Sequence, residues 1–453
     1  MVTTAGGRVR SRERATRLFL PVLIATVVVY TFIIRTRGIS DHFFMLGDEI
    51  RDWSVALGPL SGLPLVGPPS IAGGYSYGPI FYWVLWLIRV IVGPFTGNLP
   101  HAGGLGLAAI QSCADGVLCL GIRKCSGSWT FALGTVLIVA SSPFDLALSS
   151  VIWNPVLAVA LAKAATGLVL YWQDDLSRPR RVVLFALGWL AVQAHTPAMP
   201  FGVSVFIWVL ASQFRLGRRR AMVGGIEAAL VVLLLQAPSA FAAESIRQAK
   251  VVDAIAHPQR FRLLESFHAL TASVETIALG PWSVPQTPFV LLGAGAALLL
   301  MLGPFTAPVA ASVLPLAVAV GMWSIWQDTY DSYWFLTVIP AAVLTVVWVV
   351  RLLPGRGVRS GAAALLLAAA ILAQKPRIER AALVFRLPAY GAVIKGSRAL
   401  VRRGEPVRRI EAPFLPATSD PEFAFRILGG QIRPDAAFAA KLSEDGTVTY
   451  YVP

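Results

Sequence analysis

The sequence predicts an all-α protein that crosses a membrane many times and carries a small α+β appendage outside it. Three observations lead there. The 453 residues are 56% hydrophobic and only 14% charged, where a soluble domain carries about 25% charged residues. Apolar runs recur from residue 17 to residue 375, most of them near the ~20 residues that a crossing needs. From residue 376 those runs stop, and Phe438–Val452 alternates on either side of Asp445-Gly446, which is a hairpin pattern.

Candidate spans are 17–35, 78–96, 104–122, 128–144, 153–172, 181–196, 198–214, 221–241, 287–303, 305–326, 334–353 and 359–375. Several are short, so the total is about eleven to thirteen. The first starts too late and runs too long for a cleaved signal peptide and reads as a retained anchor. Residues 1–375 thus form a transmembrane domain, and 376–453 a small domain outside the membrane. No internal repeat of the transporter kind is visible.

Net charge is +15, from 39 Lys and Arg against 24 Asp and Glu. The clusters Arg8–Arg17, Arg123-Lys124, Arg178–Arg181, Arg215–Arg220 and Arg351–Arg359 sit beside apolar runs. That is the positive-inside signal, and it suits an anionic lipid surface. No basic module stands apart from the spans, which argues against a nucleic-acid partner. Alternation from a cytoplasmic N-terminus puts the loops at 36–77, 145–152, 195–198, 242–286 and 327–333 outside, with the C-terminal tail. One conflict remains. Three candidate spans separate the outer loops 36–77 and 145–152, where an even number is required. Either one of them is re-entrant or Arg123-Lys124 breaks the charge rule.

Cys113, Cys119 and Cys125 are an odd set within and beside one apolar segment. They offer neither a disulfide framework nor metal-ligand spacing. No metal ligand set is visible elsewhere, and no cofactor is expected.

Two outer loops are long, and long ordered loops in a compact fold are usually functional. Residues 242–286 space Ile246, Val251 and Ile255 like an interfacial amphipathic helix. Residues 36–77 contain Asp48-Glu49-Ile50-Arg51-Asp52 and five glycines between Gly58 and Gly74. Carboxylates beside a bilayer are costly unless solvated or used. If the segment is helical, Asp48 and Asp52 share a face. One carboxylate, Asp48 or Glu49, would then serve as a base, with Arg51 and Asp52 in the binding site. On spacing alone a solvated cap with a weak ion pair is the preferred account.

Further polar and aromatic groups cluster at the same face. Tyr77 and Tyr82 flank the re-entry at Gly78-Pro79, where Pro suits the first turn of a helix. Asn154 precedes Pro155 at another helix start, where a plain N-cap is an adequate alternative. His195 sits at a turn, and a lone His there is more often structural than catalytic. Tyr330 and Tyr333 lie in a third polar–aromatic loop. Inside the spans, Lys163 and Asp115 are candidates for a buried pair.

Three segments resemble the GT-C class of membrane glycosyltransferases, in particular the family 39-like enzymes related to protein O-mannosyltransferases and aminoarabinose transferases. They are Asp48-Glu49-Ile50-Arg51-Asp52, then Gly67-Pro68-Pro69-Ser70-Ile71 with Gly78-Pro79-Ile80-Phe81-Tyr82, then Ser142-Pro143 with Trp153-Asn154-Pro155 and Gln193 to His195. The likeness is best over residues 17–200. It implies a polyprenyl-phosphate-linked sugar donor, an external active site and inverting transfer to a glycan, lipid or protein acceptor. Asp48 falls on the first-loop catalytic aspartate, and Asn154 where some relatives have a second one. Glu49 replaces the common Gln, leaving two adjacent carboxylates. Some members bind a divalent metal. The expected activity is hexosyl or pentosyl transfer in the cell membrane, with Arg51, His195, Arg247 or Lys250 facing the phosphate. The alternative is a transporter or flippase of a lipid-linked sugar, which predicts working polar groups at mid-bilayer. A catalytically dead scaffold is a third reading, for which Asn154 leaves room.

Overall fold

A computed structural model of the protein describes residues 5–39, 47–69, 75–76, 78–242, 306–325, 339–340, 343–344, 350, 353, 355–384, 389–415 and 419–453. Tyr77, Tyr330, Tyr333, Arg247 and Lys250 lie outside the described residues. So does the helix expected over 242–286, apart from its first residue.

The helices in chain order are α1 (Ala5–Thr36), α2 (Gly47–Leu57), α3 (Ile80–Thr96), α4 (His101–Ser126), α5 (Trp129–Ala140), α6 (Pro143–Leu148), α7 (Asn154–Tyr171), α8 (Arg178–Ala194), α9 (Met199–Arg215) and α10 (Arg218–Ala240). Then follow α11 (Ala307–Ile325), α12 (Arg356–Leu372), α13 (Gln374–Val384) and α14 (Ala389–Arg403). Among the described residues, four helical stretches are long and apolar enough to cross a membrane: His101–Ser126, Asn154–Tyr171, Thr196–Arg215 and Arg218–Ala240. Shorter apolar helices accompany them. The chain is a membrane protein.

The bundle is built around α4 and α7. Their axes approach where Gly121 faces Gly167, and a Cβ on either would collide with the other helix's backbone. Small residues at such a crossing let two helices pack closely where lipid gives no hydrophobic drive. Helix α1 packs on α4, α8 on α7, α9 on α8, α10 on α9, and α12 on α5.

Helix α3 corrects the span expected at 78–96. Near its start, the Tyr82 hydroxyl donates to Asp52 Oδ1 at 3.0 Å. Just beyond its end, the Asn98 carbonyl accepts from Trp53 Nε1 at 2.8 Å. Asp52 and Trp53 are neighbours in α2, so both ends of α3 are tied to one short helix at one end of the bundle. Phe81, Tyr82, Leu85 and Ile88 are buried, while Trp83, Leu87, Val90, Ile91 and Phe95 form an exposed apolar stripe. That is an in-plane helix with one face to the protein and one to lipid. Only α4 and α5 then run between α2 and the α6 region, an even number, as the charge pattern requires. The clusters at Arg123-Lys124, Arg178–Arg181 and Arg215–Arg220 all fall at the opposite end, joined in part by Lys124–Asp174 at 2.8 Å.

The tail returns to the α2 end. Gln374 Nε2 donates to Ser141 Oγ at 3.0 Å, and Arg377 Nη1 to the Ile138 carbonyl at 2.8 Å. Beyond α14, strands β1 (Ile410–Glu411), β2 (Ala439–Leu442) and β3 (Val448–Tyr451) form one sheet in that order, with α15 (Pro421–Ile427) beside it. β1 and β2 are parallel, β2 and β3 antiparallel. The expected hairpin is β2–β3. Gly446 turns at φ +78°, and the Asp445 carboxylate accepts from the Thr447 amide at 2.9 Å.

Candidate active site

Helix α2 buries Glu49, Asp52, Trp53 and Ala56, an i, i+3, i+4, i+7 face. Asp48 lies off that face, 66% exposed, and Arg51 between them is 35% exposed. Arg51 Nη1 reaches Asp48 Oδ1 at 2.7 Å and Arg51 Nε reaches Asp52 Oδ1 at 2.8 Å. The segment is thus helical, the condition for Asp48 and Asp52 to share a face, and both reach Arg51, but the two carboxylates have opposite surroundings.

Burial lifts the Asp52 carboxyl above the ordinary carboxylate range, against the opposing pull of Arg51 and Tyr82. Half-burial works against the Arg51 charge, yet its hydrogen bond to Asp52 and that carboxylate's charge hold the guanidinium above its usual pKa. Asp52 anchors Arg51 from the buried side, and Asp48 is the carboxylate open to the surroundings. Glu49 is buried, and its charge acts on Tyr390 of α14, pushing that burial-raised phenol further up.

The three motif segments meet at this end. The Gly67 amide donates to the Ser76 carbonyl at 3.1 Å and the Ser76 amide to Pro68 at 2.9 Å, so the loop closes before α3. Gly78 packs against the Gln193 side chain so closely that a Cβ would push that amide aside. Gln193 Nε2 in turn donates to the Leu235 carbonyl of α10 at 2.8 Å. Asn154 Nδ2 donates to the Ala194 carbonyl at 2.9 Å and lies 3.2 Å from His195 Nδ1. The carbonyl fixes which amide atom is nitrogen, so His195 Nδ1 is the acceptor and the ring carries its proton on Nε2. His195 is buried. The structure thus places it as a neutral joint between α7 and α8 rather than as a cation.

No protein-family model and no curated sequence matches the chain. Among solved structures it aligns with ArnT from Cupriavidus metallidurans bound to undecaprenyl phosphate, at TM-score 0.54 and 13% identity, over 89% of this chain and 84% of that one. The apo state of the same protein aligns at TM-score 0.54 and 15% identity, over 92% and 86%. The fold is GT-C. An Archaeoglobus fulgidus oligosaccharyltransferase in complex with Zn and sulfate aligns at TM-score 0.47 and 14% identity, over 82% of this chain and 55% of that one.

Within this GT-C fold the structure adds a second charged group that sequence reasoning found only in part. Lys163 Nζ lies 3.0 Å from Asp115 Oδ1, the anticipated pair, and also 2.7 Å from Asp145 Oδ1. Arg35 closes the set, 2.6 Å from Asp115 and 2.5 Å from Asp145, and donates to Ser112 Oγ at 3.1 Å. Two cations and two carboxylates are buried together and joined in a ring. Asp145 had a local signal, the Ser142-Pro143 helix start before it, but nothing in the sequence paired it with residues 110 positions away. Among the described residues, no group of three or more His, Cys, Asp or Glu is placed to hold a metal ion.

Proposed function

We propose that the chain is an inverting glycosyltransferase that moves a sugar from a polyprenyl-phosphate donor to a cell-envelope acceptor at the outer face of the membrane. The observation that carries this reading is the open Asp48 carboxylate bound to a half-buried Arg51. The pair stands on α2, which Tyr82 ties to α3, and the Gly78 start of α3 packs on Gln193 of α8. The GT-C fold supports it, and ArnT of that fold was crystallised with undecaprenyl phosphate. The basic helix ends at the other face support an outward site, by the positive-inside rule.

In this reading an acceptor hydroxyl attacks the anomeric carbon and gives its proton to Asp48. The bond from that carbon to the phosphate oxygen breaks, and its electron pair leaves with the polyprenyl phosphate. Arg51, held by Asp52, faces the growing negative charge, because preorganised charge is usually the largest catalytic contribution. Phosphate is already a good leaving group, so no separate acid is needed. Asn154 and His195 shape the wall, with Tyr82 securing Asp52. The buried ring of Arg35, Asp115, Asp145 and Lys163 is internally neutral. That weighs against the flippase alternative, which needs polar groups free at mid-bilayer.

The test is transfer in membranes supplied with radiolabelled polyprenyl-phosphate hexoses and pentoses. Asp48→Asn at matched expression is expected to lose transfer while keeping donor binding. Equal transfer by wild type and Asp48→Asn would remove Asp48 from the mechanism and direct attention to Glu49. No transfer by either protein with any donor would favour the flippase.

A further inference from the structure

At the basic face, helices α8, α9 and α10 enclose an open cleft of about 640 Å³. Its walls carry Arg181, Arg219, Arg220 and Val223, with Asp174 and Asp175 on the rim that joins α7 to α8. We propose that this cleft binds the headgroup of an anionic phospholipid, with an acyl chain laid along α10.

The charge argument comes first. Nine basic side chains gather here: Arg123, Lys124, Arg178, Arg180, Arg181, Arg215, Arg218, Arg219 and Arg220. Among the described residues they meet three carboxylates, and those are occupied. Asp174 pairs with Lys124 at 2.8 Å, and Asp175 with Arg180. Glu227 is held by Arg181 through both oxygens, at 2.8 and 2.9 Å, and by Arg178 at 3.2 Å. Arg215, Arg218, Arg219 and Arg220 form no ion pair among the described residues. Two of them, Arg219 and Arg220, line the cleft. The buried Arg181–Glu227 pair gives it a rigid back wall.

Geometry then selects lipid over free phosphate. Arg219, Val223, Ile226, Leu230 and Leu233 fall at i, i+4, i+7, i+11 and i+14, one helical face. The four apolar members are all exposed. A guanidinium therefore stands at the head of an exposed apolar track roughly 20 Å long at 1.5 Å per residue. Phosphate needs only the guanidinium, whereas a phospholipid uses both. Basic pockets between membrane helices are known sites for such headgroups. This site is at the end of the bundle away from α2 and does not rest on the transferase reading.

The experiment is native mass spectrometry of the purified full-length protein, titrated with phosphatidylglycerol, phosphatidylcholine or inorganic phosphate. Wild type should bind phosphatidylglycerol more tightly than phosphatidylcholine. One cation near the lipid surface is worth about a factor of five, so Arg219→Gln with Arg220→Gln should weaken phosphatidylglycerol by roughly 25-fold. Arg219→Lys with Arg220→Lys should keep most of the binding, which controls for folding. Arg356→Gln with Arg359→Gln, an equal charge loss on α12, should leave it unchanged. Ile226→Glu with Leu230→Glu should weaken the phospholipid without touching an arginine. Equal binding of the two lipids would overturn the proposal, as would equal losses from the α12 control. Insensitivity to the Ile226 and Leu230 changes, with phosphate displacing the lipid, would show a phosphate site alone.

Discussion

Two arginine–aspartate groups of this protein stand under opposite conditions. In the ring of Arg35, Asp115, Asp145 and Lys163, the three span-borne side chains are wholly buried and Asp145 is 9% exposed. Every charge there has two partners of opposite sign. On α2, Arg51 ties a buried Asp52 to an exposed Asp48, so one side of the group is closed and the other open. The first arrangement can only hold helices together, because a substrate entering it would leave a buried charge unpaired. The second is anchored yet still presents a carboxylate and a cation to a ligand. Exposure, rather than residue type, separates the closed charge group from the open one.

The largest expected effect belongs to the closed ring. Lys163→Met leaves Asp115 and Asp145 facing Arg35 alone, and breaking a buried ion pair from one side costs roughly 3–5 kcal/mol. Thermal unfolding of the purified protein should show it as a large drop in midpoint. Adding Asp115→Asn should restore part of the loss, since neutrality returns; additive losses would mean that the ring is not one coupled unit.

Asp48→Asn should do the reverse. Removing a positioned base costs about 10²- to 10⁴-fold in rate, while an exposed substitution usually changes stability by only about 0.5 kcal/mol. An unfolding midpoint that falls as far as that of Lys163→Met would erase the distinction between the two groups.

Tyr82→Phe removes one donor from the Asp52 carboxylate. Hydrogen bonds to charged groups contribute roughly 1.5–3 kcal/mol, so chemical denaturation should show an intermediate loss. No loss would mean that α3 is not tethered through this bond.

Asp52 also sharpens the comparison by pH. Its folded carboxyl titrates above its unfolded range near pH ~4. The stability it contributes is therefore fully present below that range and lost as pH rises through the raised value. Asp52→Asn is neutral throughout, so its unfolding midpoint relative to wild type should climb between acid and neutral pH. A difference that stays flat with pH would contradict a raised Asp52.

The smallest effect is at the surface. Arg180→Gln breaks an exposed pair with Asp175 and should cost no more than about 1 kcal/mol. A larger loss in the same unfolding assay would mean that exposure does not separate the strong pairs from the weak.

Much of this was legible locally. Hydropathy marks α4, α7, α9 and α10 because each is a long apolar run. The β2–β3 hairpin is carried by Asp445-Gly446 between alternating strands, a signal complete within fifteen residues. The acidic segment, Gly78, Asn154 and His195 are each visible as chemistry beside a membrane edge. What the residues did not disclose is their grouping. Asp52 reaches Tyr82, Gly78 meets Gln193, and Arg35 finds Asp145 only when distant helices pack.

Composition and periodicity by themselves determined that the chain lives in a membrane, roughly where its long apolar helices run, and which short segments gather polar groups at a membrane edge. Those properties follow from transfer free energies and backbone preferences summed over neighbouring residues. Tertiary structure alone decided that α3 lies in the plane instead of crossing, because an apolar run of that length suits either course until its ends are tied. It alone also decided that Asp48 is open while Glu49 and Asp52 are buried. Successive residues on a helix point about 100° apart, so which carboxylate meets solvent depends on what packs against the helix.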